Sequence, residues 1–202
     1  MRSMLKAVLV AVLVISNGLA HAAKCKPIED EFDATLGVRV VAFDWKNLSH
    51  PMRPVGREMT GGVGVRAHGS RIFLIIGIEW LRFIKTFPTP DMINNSLSIS
   101  EGSELLIGLA DGSVITLHST EAVIGETTYE TPKPHSGKSF AVTSKVSAHY
   151  EIDEAAQAAL LAQGAMAVRM RTSTDGDQDV RIYSGGREHI REVIECIREA
   201  IK

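Results

Sequence analysis

The chain has 202 residues, with 22 basic side chains against 24 acidic ones and a formal net charge of −2. So even a balance argues against general nucleic-acid binding, which needs a basic face, although a local basic patch stays compatible with it. Beyond the first 22 residues, no apolar run is long and charge-free enough to cross a bilayer; the nearest, Ile72 to Ile78, is bounded by Arg71 and Glu79.

The first 22 residues carry the strongest signal. Arg2 and Lys6 precede an apolar run from Ala7 to Ile15, and Ala20-His21-Ala22 closes the stretch. A charged start, a short greasy middle and a small-residue end have the layout of a secretory signal peptide. The middle is about half the ~20 residues of a membrane-spanning helix. The expectation is export to the periplasm or the medium, with cleavage after Ala22; a cut after Ala20 fits the small residues Gly18 and Ala20 as well. The remainder, 23–202, is expected to be one domain of 180 residues with 20 basic and 24 acidic side chains, enough for a sizeable core.

Two cysteines remain, Cys25 and Cys196, near opposite ends. An even count in an oxidising compartment favours a disulfide, worth on the order of 5 kcal/mol for a loop of ~170 residues, less any strain. A metal-binding or reactive thiol has less to support it: there is no Cys-x-x-Cys, and only His189 lies near either cysteine. Lipid attachment at Cys25 would want a small residue where Lys24 stands.

In chain order, the acidic stretch Ala23 to Leu36 reads as an extended lead-in, and Gly37 to Phe43 as a Val-rich strand. Asp44 to Thr60 holds Pro51, Pro54 and Gly56 without apolar period and reads as a long loop. Gly61 to His68 and Arg71 to Trp80 read as strands about a Gly69-Ser70 turn. The second is apolar at every position from Ile72 to Ile76, the mark of a central strand buried on both faces; its end, Ile78 to Ile84, suits a strand or a short helix. Asp111-Gly112 between Glu104–Leu109 and Ser113–His118 signals a tight hairpin. Val123 to Tyr129 and Ser139 to Tyr150 read as further strands, separated by a Pro/Gly-rich loop.

Asp153 is placed to cap a helix over Ala155 to Ala162, and Gly164 to end it. Met166 to Thr172 alternates, with Met166, Val168 and Met170 on one face. Asp179 to Ser184 pairs back after a turn. Ile190, Val193, Ile194, Ile197 and Ile201 form one stripe of a final helix over about 187–201, with Cys196 at its edge. Many strands followed by two helices predict an α+β fold: a mainly antiparallel sheet with both helices of the C-terminal third packed on one face.

Motifs that carry chemistry are sparse. Asp175-Gly-Asp-Gln-Asp179 spaces three carboxylates as a calcium loop does, but Val180 and Gly186 stand where an EF-hand needs Gly and Glu. Gly137-Lys138-Ser139 ends like a phosphate-binding loop, yet Pro132 occupies the first glycine position and a strand follows. Gly185, Gly186 and Arg187 begin the last helix and are a candidate anion site, since backbone N–H groups are free there; a tight strand-to-helix connection asks for the same glycines. His149 and Glu151 share the polar face of their strand. No nucleophile elbow and no zinc-binding His-Glu-x-x-His occurs. No metal site, catalytic residue or cofactor is assigned.

The best functional surface in the sequence is the 44–60 stretch, with Trp45, His50, Met52, Arg53 and Arg57. Trp, Met and Arg are enriched at interface centres, against the plainer reading that Trp45 anchors the core. The sequence is therefore read as an exported, non-catalytic binding or interaction protein, an envelope accessory or inhibitor, with a protein partner in the envelope and no nucleic acid. The alternatives are a small exported hydrolase or a binder of a small ligand or ion.

Overall fold

A computed structural model describes residues 25–48, 57–89, 97–130, 139–172 and 176–202. The leader, His50, Arg53, the 131–138 loop and Asp175 lie outside the described residues.

The apolar run read as central is strand β4 (Arg71–Ile84), and it organises everything around it. It pairs antiparallel along twelve consecutive positions with β3 (Arg57–His68) on one side and with β10 (Phe140–Glu151) on the other. The pairing holds through Ile84, so the stretch open to a helical reading is strand. Outward from this centre, β2 (Val38–Asn47) pairs with β3, β1 (Glu29–Asp33) with β2, and β9 (Glu126–Glu130) with β10. The result is a six-stranded antiparallel sheet ordered β1-β2-β3-β4-β10-β9.

A second antiparallel sheet has the order β12-β11-β6-β7, built from β6 (Glu104–Leu109), β7 (Val114–His118), β11 (Ala165–Thr172) and β12 (Gly176–Arg181). The Asp111-Gly112 turn closes β6 onto β7, with Gly112 at φ 87°, where a side chain would be strained. A short pair, β5 (Ser98–Ile99) with β8 (Val123–Ile124), completes the strands.

Both helices form where caps and period place them. Asp153 accepts from the Ala156 N–H at the start of α1 (Glu154–Gln163), and Gly164 at φ 72° ends it. In α2 (Ser184–Ala200) the stripe Ile190, Val193, Ile194 and Ile197 is buried. Each such side chain gains about 1.5–3 kcal/mol from leaving water. Helix α2 lies on β2 and β3, and α1 on α2 and β6. One face of each sheet and both helices share a single hydrophobic core. The architecture is α+β and mostly antiparallel.

Four local differences from the sequence reading have physical causes. The acidic lead-in contains β1, because Asp30 and Glu29 meet Arg39 and Arg66 across the sheet. Half of the expected 44–60 loop is strand: a bulge between Phe43 and Lys46 carries β2 on to Asn47, and β3 starts at Arg57. Gly125 splits the expected 123–129 strand, so that Val123–Ile124 pairs with β5 and Glu126–Glu130 with β10, because the chain passes there too close to the Leu97 carbonyl for any side chain. Met166 is 38% exposed rather than sharing the buried face of Val168 and Met170, because a register shift at Ala165/Ala167 puts Ala165 inside instead.

Cys25 and Cys196 are joined by a disulfide spanning 171 positions, their Cα atoms 5.2 Å apart. Beside it, Arg39 forks onto Asp30 and donates to the Ala200 carbonyl at the end of α2. Carbonyls at a helix C-terminus favour such a cation. Covalent and polar ties thus fasten the last helix to the β1 edge. Replacing both cysteines with serine is expected to lower the unfolding free energy by about 2–5 kcal/mol. Urea titration of the oxidised and reduced chains measures it; coincident midpoints would show that the bond adds nothing.

Candidate functional site

Strand alternation sends Val63, Val65, Leu74, Ile76, Val146 and Ala148 into the core, so their neighbours line the outer face of the six-stranded sheet. The register sets these outer residues in rows across the strands. One row runs Asn47–Gly62–Gly77–Ser147, from β2 through β3 and β4 to β10. Three of its four members are glycine or serine. The next row runs Thr60–Glu79–Lys145–Glu126, the sheet's charged ridge. On the other side lies Gly64–Ile75–His149. A file of small residues between rows of larger ones is a trough.

Trp45 lies in this trough. A Cβ built on Gly62 would fall 2.1–2.4 Å from its Cζ2, Cε2 and Nε1 atoms, one on Gly77 2.6 Å from Cη2, and one on Gly64 3.6 Å from Cε3. Atoms from around the ring's perimeter thus sit over three glycines on two strands. The indole is laid flat on the sheet, not stood on edge. It remains 44% exposed. The floor must be glycine, since any side chain at 62 or 77 would occupy the ring's place; Gly within a strand often marks such a close approach.

The trough has a volume of about 660 Å³ and is closed at its far end by Val123, Ile124 and Gly125, with Ile124 84% exposed. Glu79 and Lys145 are neighbours along the charged ridge, 3.7 Å apart and both about half-exposed. Asn47, Thr60 and Ser147 add an amide and two hydroxyls to the lining. Aromatic face, small floor and polar rim are the parts of a ligand site.

Farther along the same face, Phe73 is packed between two histidines. Its ring centroid is 5.3 Å from that of His68 and 6.4 Å, edge-on, from that of His149, with the Arg71 guanidinium over it at 5.0 Å. His149 turns its Nδ1 to the Glu121 carboxylate. Arg71 forks onto Glu151 at 2.6 and 2.9 Å. Burial, and then the charges of Arg66, His149 and Arg71, hold the His68 imidazole below its ordinary value, with Asp33 opposing weakly.

The other sequence candidates fare differently. Trp45 is on β2, and Arg57 is the first residue of β3. Gly186 faces the Leu48 backbone, a Cβ there meeting the Leu48 oxygen at 3.0 Å, and Gly185 lies under the Tyr183 ring. Arg187 donates to the Met166 sulfur at 2.9 Å. Close packing therefore accounts for the Gly185-Gly186 pair without an anion. Asp177 and Asp179 bind Arg171 and Arg169 across the β11–β12 hairpin, which spends two of the three carboxylates of the calcium-like turn. Among the described residues no group of three or more His, Cys, Asp or Glu side chains is placed to hold a metal ion.

Compared with protein-family models, curated proteins and solved structures, the chain shows no significant match to any of them.

Two outcomes are expected. Gly62→Ala drives a methyl into the Trp45 ring, lifting it from the sheet, at a cost of about 1–3 kcal/mol. Urea unfolding and acrylamide quenching of tryptophan emission report it; unchanged quenching would mean that the ring does not rest there. The unfolded chain holds a proton at His68 more tightly than the folded one does, so stability is full above the ordinary value of 6.5 and falls as the pH drops below it. His68→Gln removes this component, and its melting temperature should change less between about pH 7 and pH 5 than the parent's. Equal slopes would refute the assignment.

Proposed function

We propose that this chain is an exported, non-catalytic binding protein, and that the Trp45 trough is its binding surface. The observation that carries the reading is the flat indole, half-exposed over glycine and ringed by hydrogen-bonding side chains. A large apolar ring left open to water costs free energy that a ligand recovers on covering it.

The leader-like pattern of residues 1–22 and the Cys25–Cys196 disulfide both fit a periplasmic or secreted protein. No helix among the described residues is long and apolar enough to cross a membrane. Binding suits the trough better than catalysis. Its carboxylate and ammonium spend their charges on each other in contact with water, whereas acid–base chemistry draws on groups set apart by burial. The trough's size also sets the scale of the occupant. About 660 Å³ is a small-ligand volume, whereas a folded partner covers roughly 800 Å² on each side. A protein partner would therefore present a narrow element to it.

The test places a photoreactive benzophenone side chain at Ile124, which is 84% exposed at the end of the trough and off its floor, and irradiates the protein in its native envelope. The expected result is one product of defined added mass, on a chain beginning at Ala23, that Trp45→Ala abolishes. The same probe at Asp111, in the β6–β7 turn, should not give it. A product unaffected by Trp45→Ala would overturn the site. A full-length, reduced chain retained in the cytoplasm would overturn export.

A further inference from the structure

We infer that the occupant of the trough is a saccharide, with Trp45 as the platform on which a sugar ring stacks. The inference rests on the trough being the binding surface and names the chemistry it selects.

The platform comes first. Trp45 offers a broad aromatic face backed by Gly62 and Gly77, so the ring cannot sink or tilt when loaded. An aromatic face is the negative pole of a quadrupole. A pyranose ring presents one face of C–H bonds whose hydrogens carry the complementary positive charge, while its hydroxyls project around the edge. Stacked on Trp45, such a ring would direct its hydroxyls to the trough's rim. There Asn47 and Ser147 lie at the two ends of the glycine row, with Glu79 and Lys145 in the adjacent row. An amide, a hydroxyl, a carboxylate and an ammonium supply both donors and acceptors, as hydroxyls require.

Competing occupants lack what they need. An extended peptide draws its affinity from unpaired strand edges, but the floor strands β3 and β4 are paired on both sides along the trough, and β10 is paired to β9 over Ala141–Lys145 and meets the 119–120 segment at His149 and Tyr150. The main-chain groups of β3 and β4 are thus committed to the sheet. An acyl chain needs an apolar wall, and here one whole wall is Thr60–Glu79–Lys145–Glu126. A saccharide asks for neither: it needs one flat aromatic surface and a wet polar rim. The volume of about 660 Å³ accommodates a short oligosaccharide.

The chain's tryptophans make the test direct. There are two, Trp45 at 44% exposure and Trp80 at 3%, so a saturable change in emission on adding sugar reports on Trp45. The probes are chitotriose, maltotriose, cellotriose and a galactose trisaccharide at millimolar concentration, added to the processed, oxidised protein. At least one should shift the emission to shorter wavelength. Ser147→Arg, which fills the exposed end of the floor without entering the core, should abolish the shift at an unchanged melting temperature. Trp45→Phe should weaken binding about tenfold by calorimetry, because the smaller ring keeps part of the stacking. No response to any of the four sugars, or a response that survives Ser147→Arg, would overturn the saccharide assignment. So would a peptide pool that binds in place of sugars and loses binding in Ser147→Arg; in that case the trough would stand as the binding surface. If the Ile124 photoproduct also survives Trp45→Ala, the binding surface itself falls.

Discussion

Backbone pairing along both sides of β4 is the constraint from which the rest of the structure follows. A strand hydrogen-bonded over twelve positions to each neighbour fixes the relative slide of β3, β4 and β10. A slip of one residue would turn Leu74, Ile76 and Ile78 out to water and bring Glu79 in. The buried side therefore sets the register, and the register sets what meets on the other side. Gly62, Gly77 and Ser147 line up because the core residues beside them must.

Much of the fold was legible in the sequence where a local rule acts alone. Asp153 and Gly164 bound α1 through capping and a positive φ, and the isoleucine stripe of α2 needs only helical period. Asp111-Gly112 names its own hairpin. Elsewhere tertiary pairing overrides local preference. β1 has no apolar alternation and exists because β2 supplies hydrogen bonds and arginines. The bulge at Phe43–Lys46 and the register shift at Ala165–Ala167 add or skip a residue, so that period-two counting fails just beyond them.

The site was legible only in part. Trp45 stands out by residue type, but the trough it lies in is assembled from four strands, and the spacing of residues within one strand does not encode the register between strands. One signal was nevertheless in view. Gly77 interrupts an apolar strand, and Gly61-Gly62-Val63-Gly64 weakens another, where Val or Ile would form a better strand. Glycines accepted at such positions imply something lying across them. The same reasoning, applied to Gly185 and Gly186, leads to the Tyr183 ring and the Leu48 carbonyl.

The bond between Cys25 and Cys196 has a topological consequence. It makes residues 25 to 196 a covalent ring, from which the chain leaves on either side. A single peptide-bond break in any loop of that ring opens it without releasing a piece, so a nicked molecule stays whole until it is reduced. Tension applied to the chain on either side of the ring passes through the sulfur–sulfur link and bypasses the sheets, leaving the trough unloaded. Since the two cysteines are 171 positions apart, the ring closes only once the whole stretch between them has been synthesised. Until then the N-terminal strand and the final helix have only their non-covalent contacts to hold them together.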